Sequence, residues 1–267
     1  MSIKLSELTV KRVYEAFKRR IVDIPEVLSW NFAGNANKEC LRKYKNIHSG
    51  ERCFIICNGP SLKKLDLALL KSEKTFGMNR IYLLFDEMGF DTSYYACSNE
   101  LVLEQFQNDI AGLRMPKFLN WNRRHLFEKY KNSHFFKINY NLNHWFSQDI
   151  TESICGCGTV TYVSLQLAYY MGFQEVVIIG ADHDFVEKGT PCATEVRTEN
   201  EDKSHFHPNY FPKGVKWQLP DLYRSEIGYR LARDAFEAAG RKVYNATAGG
   251  KLEIFERKDY YSFFKAY

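Results

Sequence analysis

The segment that most constrains the fold is a helical stretch followed at once by an apolar run. Apolar residues recur at helical spacing over 160–170, Thr159 is suited to cap the helix start, and Gly172 to end it. The next segment, 175–182, reads Glu-Val-Val-Ile-Ile-Gly-Ala-Asp. An apolar run without polar alternation is typical of a strand buried on both faces, which belongs in a parallel sheet covered by helices. Asp182 would then lie at the carboxyl end of a central strand.

The same alternation of strand and helix extends through most of the chain. Short apolar segments predict further strands at 53–57, 75–79, 93–97, 117–119, 134–138 and 242–245. Helical spacing predicts helices at 62–70, 99–113 and 221–239. The pattern predicts an α/β protein with a Rossmann-like, mostly parallel sheet and helices on both faces.

The ends and two long polar segments fall outside this alternation. Residues 3–22 predict an amphipathic, basic helix, and 30–50 a linker with a short helical piece. We therefore divide the chain into an N-terminal extension, 1–48, and a catalytic domain, 49–267. Within the domain, 120–150 and 186–220 are interpreted as irregular lid segments, because long polar stretches in compact domains are usually functional.

Ligands of parallel sheets bind beyond the carboxyl ends of the strands. Four groups of residues are predicted at such ends: Asn58-Gly59-Pro60-Ser61, Asn79-Arg80, Ser98-Asn99 and Asp182-His183-Asp184. The first is a tight turn that could hold a phosphate on its backbone N–H groups or serve only as a turn. The asparagines could read a base or ribose, or form turns. A second turn suited to an anion is Gly158-Thr159, before the helix at 160–170.

Two further patterns indicate candidate metal ligands or catalytic residues. Asp182 and Asp184 form a D-x-D triplet, which could hold Mg²⁺ against a diphosphate. His205 and His207 lie in the polar stretch before Tyr210 and could act as a general base and its helper, as metal ligands, or as surface residues. We expect no required cofactor, with Mg²⁺ binding at Asp182 and Asp184 as the alternative.

Composition narrows the class of protein. The net charge of +5 is too small for a dedicated nucleic-acid binder but suits anionic small ligands. The N-terminal segment is interrupted by charges and does not resemble a secretory signal, so a cytoplasmic location is expected. The basic N-terminal helix could dock on the body of the protein, or it could bind a partner or lie peripherally at the inner membrane face. Several of the seven cysteines lie in apolar segments, which predicts reduced, buried thiols.

Several blocks together resemble the DUF115 group, labelled 6-hydroxymethylpterin diphosphokinase MptE-like. They are 57–62 (CNGPSL), 77–82 (GMNRIY), 93–95 (SYY), 158–182 and 245–255 (NATAGGKLEIF). The resemblance covers roughly residues 50–258. The group includes archaeal pterin diphosphokinases and motility accessory factors linked to nonulosonic acid transfer, and the layout is also similar to the family 42 bacterial sialyltransferases.

The sialyltransferase resemblance implies a role for each block. Asn58, Asn79 and Asn99 would occupy the three asparagine positions after the first three strands. Gly158-Thr159 stands where those enzymes have Ser-Gly, and Asp182 ends the G-x-D strand. The resemblance implies that His205 or His207 is the general base and that Tyr210 hydrogen-bonds the leaving phosphate.

These implications define one leading function and two alternatives. The leading function is transfer of a nucleotide-activated sugar, best a CMP-linked nonulosonic acid or Kdo, to a glycan or glycolipid hydroxyl. The first alternative is a magnesium-dependent diphosphokinase that acts on a pterin-like alcohol with ATP. The second is a non-catalytic module that binds a nucleotide sugar.

Overall fold

The structure is a computed structural model that describes residues 10–139, 143–187 and 189–264. Its centre is an eight-stranded sheet in which every neighbouring pair is parallel. The described residues contain twelve strands: β1 (Arg52–Ile56), β2 (Lys74–Met78), β3 (Tyr94–Cys97), β4 (Lys117–Asn120), β5 (Ser133–Phe136), β6 (Ile138–Asn139), β7 (Ile154–Cys155), β8 (Glu175–Ile179), β9 (Thr194–Val196), β10 (Lys216–Gln218), β11 (Lys242–Asn245) and β12 (Glu256–Arg257). Four of them lie outside the main sheet, in the two-stranded pairs β6–β7 and β9–β10. The order in the sheet is β12-β11-β8-β1-β2-β3-β4-β5. The predicted parallel α/β fold is confirmed.

Helices cover the sheet. They are α1 (Val10–Ala33), α2 (Asn35–Arg42), α3 (Phe85–Met88), α4 (Glu100–Gln105), α5 (Gln107–Gly112), α6 (Val160–Tyr170) and α7 (Leu222–Ala238). Helix α6 packs across β1, β2 and β3, with α7 beside it. On the opposite face, Phe54 of β1 packs against Tyr260 and Phe263 of the C-terminal 3-10 turn. Strand side chains alternate between the two faces, so β1 is buried on both.

Two predicted helices are corrected. Residues 62–70 form two 3-10 segments, Pro60–Lys64 and Leu67–Ser72, instead of one helix. Leu65 is extended between them, and the Asp66 carboxylate caps the second by accepting a bond from the Ala68 N–H. The helix predicted at 99–113 breaks at Phe106, whose backbone leaves the helical region (φ −119°, ψ 30°), which gives α4 and α5.

The N-terminal helix is longer toward its C-terminal end than the sequence predicts. The first seven residues of the predicted segment 3–22 lie outside the described residues, whereas α1 continues through Pro25 into the predicted linker. Tertiary contacts hold it there: the Trp30 indole N–H donates to the Glu152 carbonyl, and Asp23 pairs with the buried Lys137. No helix among the described residues is long and apolar enough to cross a membrane.

The two predicted lid segments differ in structure. Residues 120–150 supply β5, which is the edge strand of the main sheet, so this segment lies partly within the body rather than forming an irregular lid. Residues 186–220 carry the antiparallel pair β9–β10 and a loop that crosses the carboxyl edge of the sheet, where the Phe206 N–H donates to the Asn58 carbonyl at 2.9 Å. The domain division at residue 48 stays a prediction.

Stability is expected to depend on pH through His134. Burial, together with Lys117 and Lys43, lowers the pKa of His134 to about 4. Since the unfolded chain takes up this proton near pH 6.5, unfolding should become easier as pH falls from 6.5 through 4. We expect His134 to lower the free energy of unfolding by about 2 kcal/mol over this pH range, after allowance for its partial exposure.

Denaturant titration at pH 7 and pH 4.5 measures this dependence. His134→Gln should flatten it, while His125→Gln, at an exposed imidazole, should leave it unchanged. If His134→Gln loses as much stability between pH 7 and pH 4.5 as the wild type does, His134 is not the source of the pH dependence.

Candidate functional site

A cleft opens at the carboxyl edge of the sheet, between β1 and β8. Strands β2 to β5 follow in order on one side of β1, whereas β8, β11 and β12 lie on the other side. Ligands of open parallel sheets bind where the strand order reverses in this way. The lining residues come from the ends of β1, β2 and β8, the start of α6, the 183–205 region and α7: Cys57, Asn58, Gly59, Met78, Asn79, Gly158, Thr159, Val160, Thr161, Gly180, Ala181, Asp182, His183, Asp184, Phe185, Ser204, His205, Pro220, Leu222, Ser225 and Tyr229.

The turn after β1 is locked onto the end of β8. The Gly59 N–H donates to the Gly180 carbonyl at 2.9 Å, and the Ser61 hydroxyl donates to Oδ2 of Asp182 at 2.6 Å. A Cβ on Gly59 would lie 1.8 Å from that oxygen, so only glycine fits. The Ser61 N–H also points at this carboxylate, and Pro60 has no N–H. We predicted that the N–H groups of this turn hold a phosphate. The Gly59 N–H is instead used by the Gly180 carbonyl, and the Ser61 donors are used by the Asp182 carboxylate.

The turn presents the Asn58 side chain to the cleft instead. Asn58 is only 9% exposed, and its Oδ1 atom has no hydrogen-bond partner in the described structure. A buried amide oxygen without a partner is costly, at about 1–3 kcal/mol. Since this residue lines the cleft, a ligand with an N–H or O–H group would satisfy it.

The start of α6 forms the neighbouring wall. Thr159 is its N-cap, as predicted, and its hydroxyl accepts a bond from the Thr161 N–H at 3.3 Å. Gly158 precedes it with a φ of +74°, which favours glycine. The positive end of an 11-residue helix therefore faces the cleft beside the unpartnered Asn58 oxygen.

The predicted histidine loop contains an acid–base pair. Nδ1 of His205 lies 2.9 Å from both carboxylate oxygens of Asp202, whose side chain is fully buried. Burial alone would raise the pKa of Asp202, but the His205 ring, the Arg197 charge and the Ser204 N–H hold it below its usual range. His205 lines the cleft, and Nε2 has no partner among the described residues. This is the arrangement of a general base oriented by a carboxylate.

His207 and Tyr210 are placed differently. His207 is not among the cleft residues, and its Nδ1 accepts a bond from the Asn209 N–H. The Tyr210 ring stacks beneath His205 at 4.0 Å, and its fully buried hydroxyl accepts a bond from the Arg80 N–H at 3.2 Å. Burial raises the pKa of Tyr210. Of the three residues predicted to be catalytic, His205 lies at the cleft, Tyr210 stacks beneath its ring, and His207 is outside the cleft lining. Their catalytic roles stay predictions.

Arg80 also supports the loop rather than lining the cleft. Its guanidinium donates to the carbonyl oxygens of Asn209 and Tyr210 and lies 4.0 Å from the centre of the Phe106 ring. With its donors used in this way, Arg80 fixes the backbone that carries His205.

The asparagines divide between the cleft and the scaffold. Asn79 lines the cleft in a left-handed conformation, with φ of +50°. Asn99 is instead the N-cap of α4, where its Oδ1 accepts a bond from the Leu101 N–H, and Ser98 bonds Asn120 through its carbonyl. Neither Ser98 nor Asn99 lines the cleft, and their predicted role in nucleotide binding stays a prediction.

The D-x-D triplet does not form a ready metal site. Asp182 holds Ser61, and Asp184 pairs with Lys251 at 3.0 Å. Within the described parts of the chain, no three His, Cys, Asp or Glu side chains are grouped so that they could hold a metal ion. The residues present do not fit Mg²⁺ as placed.

Two residues of the candidate site were not predicted from the sequence. Asp202 stands three positions before His205, a D-x-x-H spacing that could have suggested a pair across one turn. Tyr229 of α7 lines the cleft, and burial raises its pKa to about 12 while hydrogen bonds with Thr159 and Thr161 oppose the shift. Tyr229 falls within the helix predicted at 221–239, where helical spacing alone does not mark a residue of the cleft.

The fold and cleft define an α/β protein with a ligand site at the switch point of a parallel sheet. The family model described as 6-hydroxymethylpterin diphosphokinase MptE-like matches residues 30–188. The chain belongs to this MptE-like family.

Among solved structures, a MAf glycosyltransferase from Magnetospirillum magneticum AMB-1 matches with a TM-score of 0.51 and 14% identity. The match covers 84% of this chain and 38% of that one, so this chain spans well under half of its neighbour. At this identity the likeness shows a shared fold. No curated protein matches the sequence.

Proposed function

We propose that this protein transfers a sugar from a nucleotide-activated donor, with His205 as the general base. The Asp202–His205 pair at the cleft carries the proposal, because an imidazole held by a carboxylate at Nδ1 has Nε2 oriented to take a proton from an acceptor hydroxyl. Two findings support a transferase. The family model that matches the chain is described as a diphosphokinase, and the fold is shared with a glycosyltransferase.

The reaction balances with residues of this chain alone. The bond between the anomeric carbon and the donor phosphate oxygen breaks, and the electron pair leaves with the nucleotide. The acceptor oxygen forms the new bond to that carbon, and its proton moves to Nε2 of His205. The buried Asp202 carboxylate stabilises the imidazolium that results.

The cleft favours a donor with fewer phosphates than a nucleoside triphosphate. None of the cleft residues in the described parts of the chain is a lysine or arginine, so a phosphate would rely on the start of α6. A nucleoside monophosphate leaving group, as in a CMP-linked nonulosonic acid or Kdo, suits this better than a triphosphate. We propose the CMP-linked donor, no required cofactor and a glycan or glycolipid acceptor.

A second candidate is the diphosphokinase activity that the family description prints. It would transfer a diphosphate from ATP to a pterin-like alcohol, and Asp182 and Asp184 would have to release Ser61 and Lys251 to bind Mg²⁺. The absence of lysine and arginine among the described cleft side chains disfavours this candidate.

A thermal-shift panel separates the two. We expect CMP to stabilise the protein equally with Mg²⁺ and with EDTA, by about 2.7 kcal/mol at a hundredfold excess over its Kd. UDP, GDP, ADP and ATP are the comparison ligands. A shift with ATP that requires Mg²⁺ would transfer the assignment to the diphosphokinase, and no shift with any nucleotide would contradict both.

Asn58→Ala should weaken CMP binding about 10- to 100-fold, because it removes the unpartnered acceptor. The ligand-free protein should lose little stability, since no hydrogen bond to Oδ1 is broken. Asn99→Ala is the matched control. It removes the α4 cap at about 1 kcal/mol but leaves the CMP shift intact. Equal CMP shifts in all three proteins would exclude Asn58 from the site.

A further inference from the structure

Helix α1 turns a broad apolar surface away from the body. Seven large apolar side chains on α1 are more than 40% exposed: Phe17, Ile21, Val22, Ile24, Val27, Leu28 and Phe32. They make up seven of the twelve such side chains in the described chain, so the exposure is concentrated in one patch. Concentrated apolar patches of this kind mark interaction surfaces.

From residue 21 to residue 33, the apolar side chains of α1 are accompanied by two charged residues, and both are paired with the body. Asp23 pairs with the buried Lys137 at 2.7 Å. Glu26, whose side chain is 30% exposed, pairs with Arg124. This part of the apolar patch therefore carries no unpaired charge.

The first half of the same helix is basic. Residues 10–20 contain five lysines or arginines and one glutamate. An amphipathic helix that joins a basic segment to an apolar face has the chemistry of a segment that lies on a lipid surface. We propose that α1 docks the protein on an anionic membrane surface through this apolar patch.

A second copy of the chain fits this surface less well. Helix pairs select their partner through charged residues that flank the apolar seam, and from 21 to 33 both charged residues, Asp23 and Glu26, are already paired with the body. Parallel pairing would also place the two basic segments side by side. Acidic lipid headgroups complement that charge.

The helix lies at the same edge of the sheet as the cleft. Asp23 contacts Lys137 and Asn122, which follow the carboxyl ends of β5 and β4. Because the sheet is parallel throughout, the cleft at the ends of β1 and β8 opens on that edge as well. A protein docked through α1 would hold its cleft edge toward the membrane.

Vesicle co-sedimentation tests the proposal with the full chain. The protein should bind phosphatidylcholine vesicles that contain about one third phosphatidylglycerol at least roughly tenfold more tightly than phosphatidylcholine alone. Leu28→Glu/Phe32→Glu should lower binding to the anionic vesicles by about tenfold or more. The matched control, Ile47→Glu/Tyr261→Glu, changes two exposed apolar residues away from α1 and should bind as the wild type does.

Three results would overturn the proposal: no binding to either vesicle, equal binding by Leu28→Glu/Phe32→Glu, or a dimer in sedimentation velocity that this variant abolishes. The CMP shift is measured without vesicles, so failure here leaves the proposed transferase standing.

Discussion

Replacing His205 with alanine is expected to lower kcat by roughly 10²–10⁴-fold, the range for loss of a general base. The reason lies in the geometry: Nδ1 is committed to Asp202, and Nε2 is the ring nitrogen without a partner at the cleft. CMP release from a CMP-activated sugar measures the effect. The thermal shift with CMP should survive, because the imidazole acts on the acceptor rather than on the nucleotide.

His207→Ala is the matched control for this experiment. Its ring accepts a bond from the Asn209 N–H and does not line the cleft, so kcat should change by about threefold or less. If His207→Ala loses as much turnover as His205→Ala, the loop as a whole rather than one imidazole supports the reaction. Wild-type turnover in His205→Ala would remove the general base from the mechanism.

The strands were predictable because burial on both faces leaves a direct mark in the sequence. The run at 175–179 contains four buried apolar residues in succession, and 242–245 is a strand over the predicted residues. The helices depended on tertiary contacts that spacing does not show. Phe106 breaks 99–113 into two helices, whereas α1 passes through Pro25 because Trp30 and Asp23 are anchored on the body.

The site was predictable in region but not in detail. The rule that ligands bind at carboxyl strand ends selected Asn58, Asn79 and Asp182, which line one cleft. The same rule also selected Asn99, which follows β3. Only the order of strands in the sheet shows that the switch point lies between β1 and β8, and strand order arises from contacts far apart in sequence.

The sequence does not distinguish Asp202 from the other acidic residues, because its proposed role depends on the burial of its side chain. The chain has 32 acidic residues, and one in a polar loop resembles the others. In the structure the Asp202 side chain is fully buried, and it accepts bonds from His205 and from the Ser204 and Phe211 N–H groups. A buried carboxylate that orients an imidazole is expected to act on the rate through that imidazole.

Asp202→Asn should therefore lower kcat by about 10²-fold or more, while the CMP thermal shift remains. The asparagine keeps the shape but removes the charge that stabilises the imidazolium.

A double-mutant cycle decides whether Asp202 works through His205. If it does, Asp202→Asn should cause almost no further loss in the His205→Ala background, because residues that act as a unit are non-additive. Glu187→Gln is the matched control in the same loop network. Its carboxylate contacts Arg197 and Ser204 but not His205, so kcat should change by about threefold or less. Multiplied losses in the double mutant, or a large loss in Glu187→Gln, would mean that the loop's folding rather than an oriented base sets the rate.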